Sequence, residues 1–366
     1  MPKLTALDLP GSPEFVHALQ QVWERGDAVF PLDRRLPLNA QRSLLKRFGV
    51  ATIISEDGES TLNDGQPVEP GDAIVIATSG SSGPPKGAVL THTSLEASAR
   101  ATSARLKVTT NDHWLACLPL AHIGGLSVIT RSLITGTALT VINGFDAATV
   151  DNSDATLVSL VSTALQRIDA SRFRCIVLGG ARPPADRPAH CVATYGLTET
   201  GSGVVYNGMP LDGVSIEIRE GEVYLKSPTL LRCYRDGTSP LTTDGWLPTG
   251  DLGVLRDDGS LHVEGRRGDV INSGGEKVWP EDVERQLILH PDVVDVAVIG
   301  MQDIEWGQVV TALVVTDRND LDLDDLRDFC RDQLPGYALP RRLQRVTAIP
   351  RTALGKVRRN ELPASF

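Results

Sequence analysis

The sequence predicts an α/β domain that gives way to a β-rich stretch and ends in a small α+β domain. Three observations carry this. Up to about residue 200, short apolar, β-branched runs alternate with segments whose apolar residues recur at helical spacing. That is the pattern of a parallel or mixed sheet with helices on both faces. From about residue 210 the runs are short and separated by glycine and aspartate turns. From residue 269 two helical segments flank two apolar runs. The expected architecture is therefore α/β with a β-rich subdomain (about 210–267) in a large N-terminal domain, residues 1–267, followed by a small α+β domain, residues 268–366. A chain of 366 residues is long enough for both.

Taken in order, residues 13–25 place Phe15, Leu19, Val22 and Trp23 on one side of a helix. A strand at 28–30, a helix at 39–47 and a strand at 50–54 follow. Residues 72–77, Asp-Ala-Ile-Val-Ile-Ala, read as a buried strand, and 91–106 as a helix with Leu95, Ala99 and Leu106 at helical spacing. The alternation continues with a strand at 114–118, a helix at 124–134 and a strand at 138–142. Leu157, 176–178 and 191–194 lie in further short apolar segments. Strands are expected at 214–219, 222–226, 253–256 and 260–264. The last block has a helix at 280–289, strands at 293–300 and 309–315, and a helix at 323–333.

The composition is that of a globular protein, with 41% hydrophobic and 22% charged residues. A formal net charge of -10 leaves no general basic surface for nucleic acid. Arginines do cluster late in the chain (Arg341, Arg342, Arg345, Arg351, Arg358, Arg359), which suits a solvated face or a local site for an anionic ligand. Five scattered cysteines without Cys-x-x-Cys spacing suggest neither a disulfide framework nor a zinc site. No basic region followed by an apolar stretch opens the chain, and no run reaches the length of a membrane span. The expected location is the cytoplasm; oligomeric state is not legible.

Chemistry concentrates in a few segments. Residues 78–92 read Thr-Ser-Gly-Ser-Ser-Gly-Pro-Pro-Lys-Gly-Ala-Val-Leu-Thr-His. A strand, a loop rich in glycine and hydroxyls, and a helix would cradle a phosphate, with Lys86 supplying charge. The hydroxyl that follows the lysine in nucleotide-hydrolase P-loops is absent, since Gly87 stands there. Tyr195-Gly-Leu-Thr-Glu-Thr200 offers a ring to stack on a base, Thr198 for a phosphoryl oxygen and Glu199 for Mg²⁺. Gly179-Gly180-Ala181 follows a strand, where a ligand can lie against the backbone. In Thr249-Gly250-Asp251 a carboxylate after a tight turn can accept from ribose hydroxyls, with Arg266 close behind. Taken singly, each segment is also an ordinary linker, turn or surface sequence.

In this order the segments resemble the acyl-adenylating superfamily of acyl-CoA synthetases, luciferases and peptide-synthetase adenylation domains. The resemblance runs over nearly the whole chain. It implies a large N-terminal domain with a small mobile C-terminal lid, and a two-step reaction. A carboxylic acid attacks ATP to give acyl-AMP and pyrophosphate, and a thiol, usually coenzyme A, then displaces AMP. It further implies nucleotide contacts from Thr78, Ser79, Gly80, Ser81, Ser82, Gly83, Lys86, Gly179, Gly180, Ala181, Tyr195, Gly196, Thr198, Asp251 and Arg266. Catalytic roles fall to Lys86, Thr198, Glu199 and Lys356 of Leu354-Gly355-Lys356, the last neutralising charge during adenylate formation. Glu199 is the implied magnesium ligand. Gly268, Gly274 and Gly275 are implied at the hinge or against coenzyme A.

Three departures stand out. The stretch before the phosphate loop is shorter than in most members. Gly268 occupies the hinge position where Asp or Lys is frequent, and Ser81 and Ser82 stand where threonines are common. The segment from Leu118 to Ser132 resembles the branch of the superfamily that joins o-succinylbenzoate to coenzyme A in menaquinone biosynthesis. That acid has two carboxylates. One is activated, and the other must be held by donors or a cation in a partly apolar pocket, for which His122, with Arg131 or Ser127, is expected; Gly125 and Thr200 are the further expected contacts for the acid. Another small aryl or dicarboxylic acid, or a non-catalytic binding protein on the same fold, are the other readings. The expected co-substrates and cofactor are ATP, coenzyme A and Mg²⁺, with no nucleic-acid partner.

Overall fold

A computed structural model describes the chain apart from residues 79–83, 181–182, 185, 352–356 and 364–366. The first sheet is built from β1 (Leu4–Asp8), β2 (Ala28–Pro31), β3 (Thr52–Ser55), β4 (Gly58–Thr61), β5 (Asp72–Thr78) and β6 (Lys86–Thr91), with α1 (Pro13–Glu24), α2 (Leu38–Arg47) and α3 (His92–Arg105) interspersed. Its order is β6-β5-β2-β1-β3-β4, and Cys233–Tyr234 adds a seventh strand beyond β6. β2 and β3 flank β1 in parallel, and β5 runs parallel to β2. Helix α1 starts where Ser12 caps the Phe15 amide and Pro13 fits the first turn; it buries Phe15, Ala18, Leu19 and Val22.

The second sheet has β7 (His113–Ala116), β8 (Ala138–Val141), β9 (Leu157–Leu160), β10 (Cys175–Leu178), β11 (Cys191–Tyr195), β12 (Val205–Tyr206) and β13 (Met209–Pro210). Its order is β13-β12-β11-β10-β9-β7-β8, parallel from β8 to β11. Helices α4 (Ile123–Thr135), α5 (Ala147–Asp151) and α6 (Ser162–Leu165) belong to it. α3 packs on α4. One face of α3 buries Ser94, Ser98 and Thr102, and the last two are bonded to Ser202 (2.7 Å) and Tyr206 (3.1 Å). That polar seam is why apolar spacing marks α3 only faintly.

The β-rich stretch follows as β14 (Ser215–Arg219), β15 (Glu222–Lys226), β16 (Cys233–Tyr234), β17 (Leu247–Leu255) and β18 (Leu261–Arg266), of which β14-β15-β17-β18 form a sheet. The last region holds β19 (Ile271–Ser273), β20 (Glu276–Val278), α7 (Pro280–Leu287), β21 (Asp295–Asp303), β22 (Gly307–Val315), α8 (Leu323–Cys330) and β23 (Arg342–Arg345). There Val283, Leu287, Leu326 and Cys330 bury against Val296, Val298, Val310, Ala312 and Val314. The chain forms two compact units. One comprises Met1–Glu217, Tyr224–Pro248 and Arg256–Leu261, the other Ile218–Val223, Thr249–Leu255 and His262–Phe366.

The expected α/β class and the small C-terminal α+β region are what the structure has. Two local expectations are corrected. Residues 86–91 are a strand, not part of a loop leading into a helix: the apolar run Ala88-Val89-Leu90 pairs antiparallel with β5 on one side and β16 on the other. Thr249-Gly250-Asp251 lies inside the nine-residue β17, not after a tight turn. Helices α7 and α8 also end earlier than their apolar spacing suggests, at Leu287 and Cys330.

Candidate active site

In the first unit, the register Thr78↔Lys86 closes the β5–β6 hairpin. The loop residues Ser79, Gly80, Ser81, Ser82 and Gly83 lie outside the described residues. α3 begins only after β6, so no helix N-terminus follows the loop, and Lys86 is the described charge at its foot. The Lys86 ammonium lies 4.6 Å from the centroid of the Tyr234 ring. The Tyr234 hydroxyl donates to Glu199 Oε1 at 2.9 Å. β16 carries Tyr234 onto β6 through the pair Tyr234↔Ala88. Lys86 and Glu199 are thus joined through a residue that no motif announced.

Glu199 sits in a 3-10 turn, Thr198–Thr200, directly after β11. Gly179 and Gly180 follow β10, the parallel neighbour of β11, and Thr194 Oγ1 donates to Leu178 O at 2.9 Å. Both motifs therefore meet at the carboxyl edge of adjacent parallel strands, where open α/β sheets bind ligands. Tyr195 ends β11, and Gly196 leaves no room for a Cβ against the Ser202 carbonyl. Ala181 lies outside the described residues. Thr200 does not fit the acid contact expected of it. It is fully buried, its amide-side partner is Leu197 N, and its one hydroxyl proton faces the Leu197 and Ser202 carbonyls at 2.8 and 2.7 Å. It shapes the turn.

Magnesium fits this donor set in one way. Among the described residues no group of three or more His, Cys, Asp or Glu side chains forms a cage. One carboxylate, Glu199, suits an ion that keeps its waters and rides on substrate phosphates.

α4 carries the acid candidates. His122 precedes its first turn, and Gly125 lies so close to the preceding backbone that a Cβ would stand 2.5 Å from the Leu118 and Pro119 carbonyl oxygens. The loop after β2 reaches His122: Arg35 Nη2 lies 3.0 Å from His122 Nε2, and Asp33 Oδ2 lies 3.8 Å from it. Arg35 also forks onto Asp33 at 2.7 and 2.8 Å. Burial pushes the His122 imidazole below its usual pKa, the Arg35 charge adds to this, and Asp33 opposes it. Asp33 is itself pushed up by burial, but its hydrogen bonds from Arg35 bring it below the usual carboxylate range.

Ser127 and Arg131 are buried further along α4. Arg131 is 3% exposed, and its guanidinium stacks on Trp114 of β7 at 4.8 Å. Its Nε and Nη1, and the Trp114 Nε1, are buried without hydrogen-bond partners. Burial lowers its pKa, and a guanidinium still stays charged near neutrality. At 1.5 Å per residue, the backbone of Arg131 stands roughly 13.5 Å along the helix from that of His122.

The second unit holds its own pieces. Arg266 Nε pairs with Asp251 Oδ1 at 3.0 Å, and its Nη1 donates to Thr249 O at 2.7 Å. The two ribose candidates are therefore adjacent. Gly268 sits in a 3-10 turn, Arg267–Asp269, between an Arg267–Glu222 ion pair (3.2 Å) and an Asp269–Arg359 ion pair (3.4 Å). Gly274 and Gly275 form the two-residue turn of the β19–β20 hairpin. Lys356 lies outside the described residues. The late arginines are mostly committed internally: Arg342 to Asp303, Arg351 to Asp295, Arg358 to Glu361, and Arg359 to Glu281 and Glu284. Arg341 stacks on Trp306 at 3.7 Å. Most of their charge is thus paired among the described residues.

A lysine at the foot of a hairpin, joined through Tyr234 to a glutamate at the carboxyl edge of parallel strands, suits a nucleotide-using class, and the chain belongs to one. Residues 55–235 match the AMP-binding enzyme family, and residues 282–356 match the AMP-binding enzyme C-terminal domain. The chain is similar to the 2-succinylbenzoate–CoA ligase of Bacillus mycoides (strain KBAB4), with 35% identity over 79% of this chain and 69% of the relative. Identity is 34%, with the same coverage, to the enzyme of that name from Bacillus licheniformis. The fold is similar to the o-succinylbenzoate CoA synthetase of Bacillus subtilis in complex with the acyl-adenylate intermediate OSB-AMP. There the TM-score is 0.88 and identity 28%, over 99% of this chain and 88% of that one. The same synthetase with ATP and magnesium ion gives a TM-score of 0.87 and 29% identity, over 98% and 89%.

Proposed function

We propose that this chain is an acid–thiol ligase that activates o-succinylbenzoate with ATP and passes the acyl group to coenzyme A. In the first step the carboxylate oxygen bonds to the α-phosphorus and pyrophosphate leaves. In the second the thiol of coenzyme A attacks the acyl carbon and AMP leaves. Magnesium supplies positive charge to the phosphates when bound. Lys86 holds phosphate charge at the hairpin loop, Thr198 donates to a phosphoryl oxygen, and Glu199, aimed by Tyr234, faces the metal. Asp251 and Arg266 take the ribose. The functional boundary is placed at 267/268, with Gly268 as hinge. A cytoplasmic location suits a chain whose five cysteines are all free. No helix among the described residues is long and apolar enough to cross a membrane.

The observation that supports a diacid is Arg131. A buried cation beside an indole N–H, with three donors lacking acceptors, suits the carboxylate that is not activated. His122, at the start of α4, is then assigned to the carboxylate that reacts, a change from the expectation that it holds the other one. The test is pyrophosphate release over a panel of acids with ATP, Mg²⁺ and coenzyme A. The diacid should be preferred over benzoate and over fatty acids. Equal turnover of a monoacid of the same shape would remove the role given to Arg131.

A further inference from the structure

We propose that Arg35 and Asp33 are positioning residues that hold His122 as a neutral imidazole with its proton on Nδ1, so that Nδ1–H donates to the reacting carboxylate of the acid. This rests on the reading of His122 as an acid contact. A guanidinium has donors only. At 3.0 Å from Arg35 Nη2, His122 Nε2 must therefore be the acceptor, and the ring proton is on Nδ1. The Arg35 Nη2 group has two hydrogens, and the other goes to Asp33 Oδ2 at 2.8 Å. Asp33 fixes the guanidinium, and the guanidinium fixes the tautomer. His122 Nδ1 has no hydrogen-bond partner among the described residues. Arg35 and Asp33 are the charged groups that act on the ring, one from each side of the balance.

Neutrality has a chemical purpose. The acid's carboxylate is the nucleophile, and negative charge leaves its oxygen as the bond to phosphorus forms. An imidazolium would stabilise the ground state more than the transition state and slow the attack. A neutral N–H orients the carboxylate while leaving a lone pair available. The loop after β2 lies at the same edge as the end of β5, because the two strands are parallel. His122 is therefore at the reacting end and Arg131 at the distant one.

The test combines nitrogen-15 NMR of the His122 ring with adenylation kinetics for wild type, Arg35→Gln, Arg35→Lys, Asp33→Asn and His122→Ala. At pH 7 the wild-type ring should show a protonated Nδ1 and a bare Nε2. Arg35→Gln and Asp33→Asn should shift the tautomer balance and lower kcat/KM for the acid about ten-fold, the scale of one lost hydrogen bond to a charged group. KM for ATP should hold, and Arg35→Lys should recover part of the loss. Adding Arg35→Gln to His122→Ala should cost nothing further. A wild-type imidazolium or Nε2–H ring overturns the inference. So does an Arg35→Gln variant that keeps its acid kinetics, or raises only the KM for coenzyme A, while His122→Ala still impairs the acid. If His122→Ala itself leaves the acid untouched, the reading of the site fails, and the inference fails with it.

Discussion

Arg131 is charged, buried and incompletely hydrogen-bonded, so in the unliganded protein it is a burden on folding. A long apolar side chain keeps the contact with Trp114 and removes the desolvation cost. Arg131→Met is expected to be about 1–4 kcal/mol more stable to denaturant, yet to raise the KM for the diacid ~10–100-fold. KM for ATP should hold. A variant that loses stability and activity together would make Arg131 a structural residue. At this scale the sequence named Arg131 and His122 but not their environment. Trp114, Asp33, Arg35 and Tyr234 carry no motif. They matter only because strands far apart in the chain bring them to the candidate residues.

Among the elements, the β19–β20 turn shows how a glycine pair can be read two ways. Gly274 and Gly275 both have left-handed backbone, with φ of +61° and +87°, as a two-residue hairpin turn of this kind requires. They differ in their surroundings. A Cβ on Gly274 would stand 2.6 Å from the Trp306 ring, whereas nothing lies within 4 Å of one on Gly275. Gly275→Ala is expected to cost about 1–2 kcal/mol, the left-handed penalty alone. Gly274→Ala should cost about 2–5 kcal/mol, because overpacking adds to it. Urea unfolding of the two variants checks the order; equal losses would mean that Trp306 moves aside freely. The hairpin β5–β6 makes a related point. Pattern reading recognised the loop but not the strand after it, since a short apolar run beside two prolines fits several elements and only its partners β5 and β16 decide.

For the whole molecule, acid should act in part through His122, alongside His92, whose pKa burial also lowers. The folded pKa of His122 lies below the ordinary value near 6.5, chiefly through burial and then through Arg35. The unfolded chain therefore binds this proton more readily, and its contribution to stability, complete above the unfolded pKa, is lost as pH falls from about 6.5 toward the folded value. Unfolding measured between pH 7.5 and pH 5 should show a smaller loss for His122→Gln, which keeps an acceptor for Arg35 without titrating. Identical slopes would mean that the ring already titrates normally. Lys356 bears on the reaction as a whole. If it neutralises charge only while the adenylate forms, Lys356→Ala should cripple pyrophosphate release and largely spare thioester formation from supplied acyl-AMP. An equal fall in both half-reactions would contradict the role.

The sequence by itself determined the β–α alternation, the β-rich stretch, the small C-terminal region and the order of the nucleotide segments. These are local features, fixed by side-chain periodicity and by backbone-shaping glycines within a few residues. Tertiary structure alone decided that Lys86 and Glu199 are joined by Tyr234, that Thr200 is occupied by its own turn, that most of the late arginines already have partners, and that Arg35 reaches His122 while Trp114 stacks on Arg131. Each of these depends on which strands lie side by side and on how buried a charge becomes. Neither pairing nor burial is a property of any short stretch of chain.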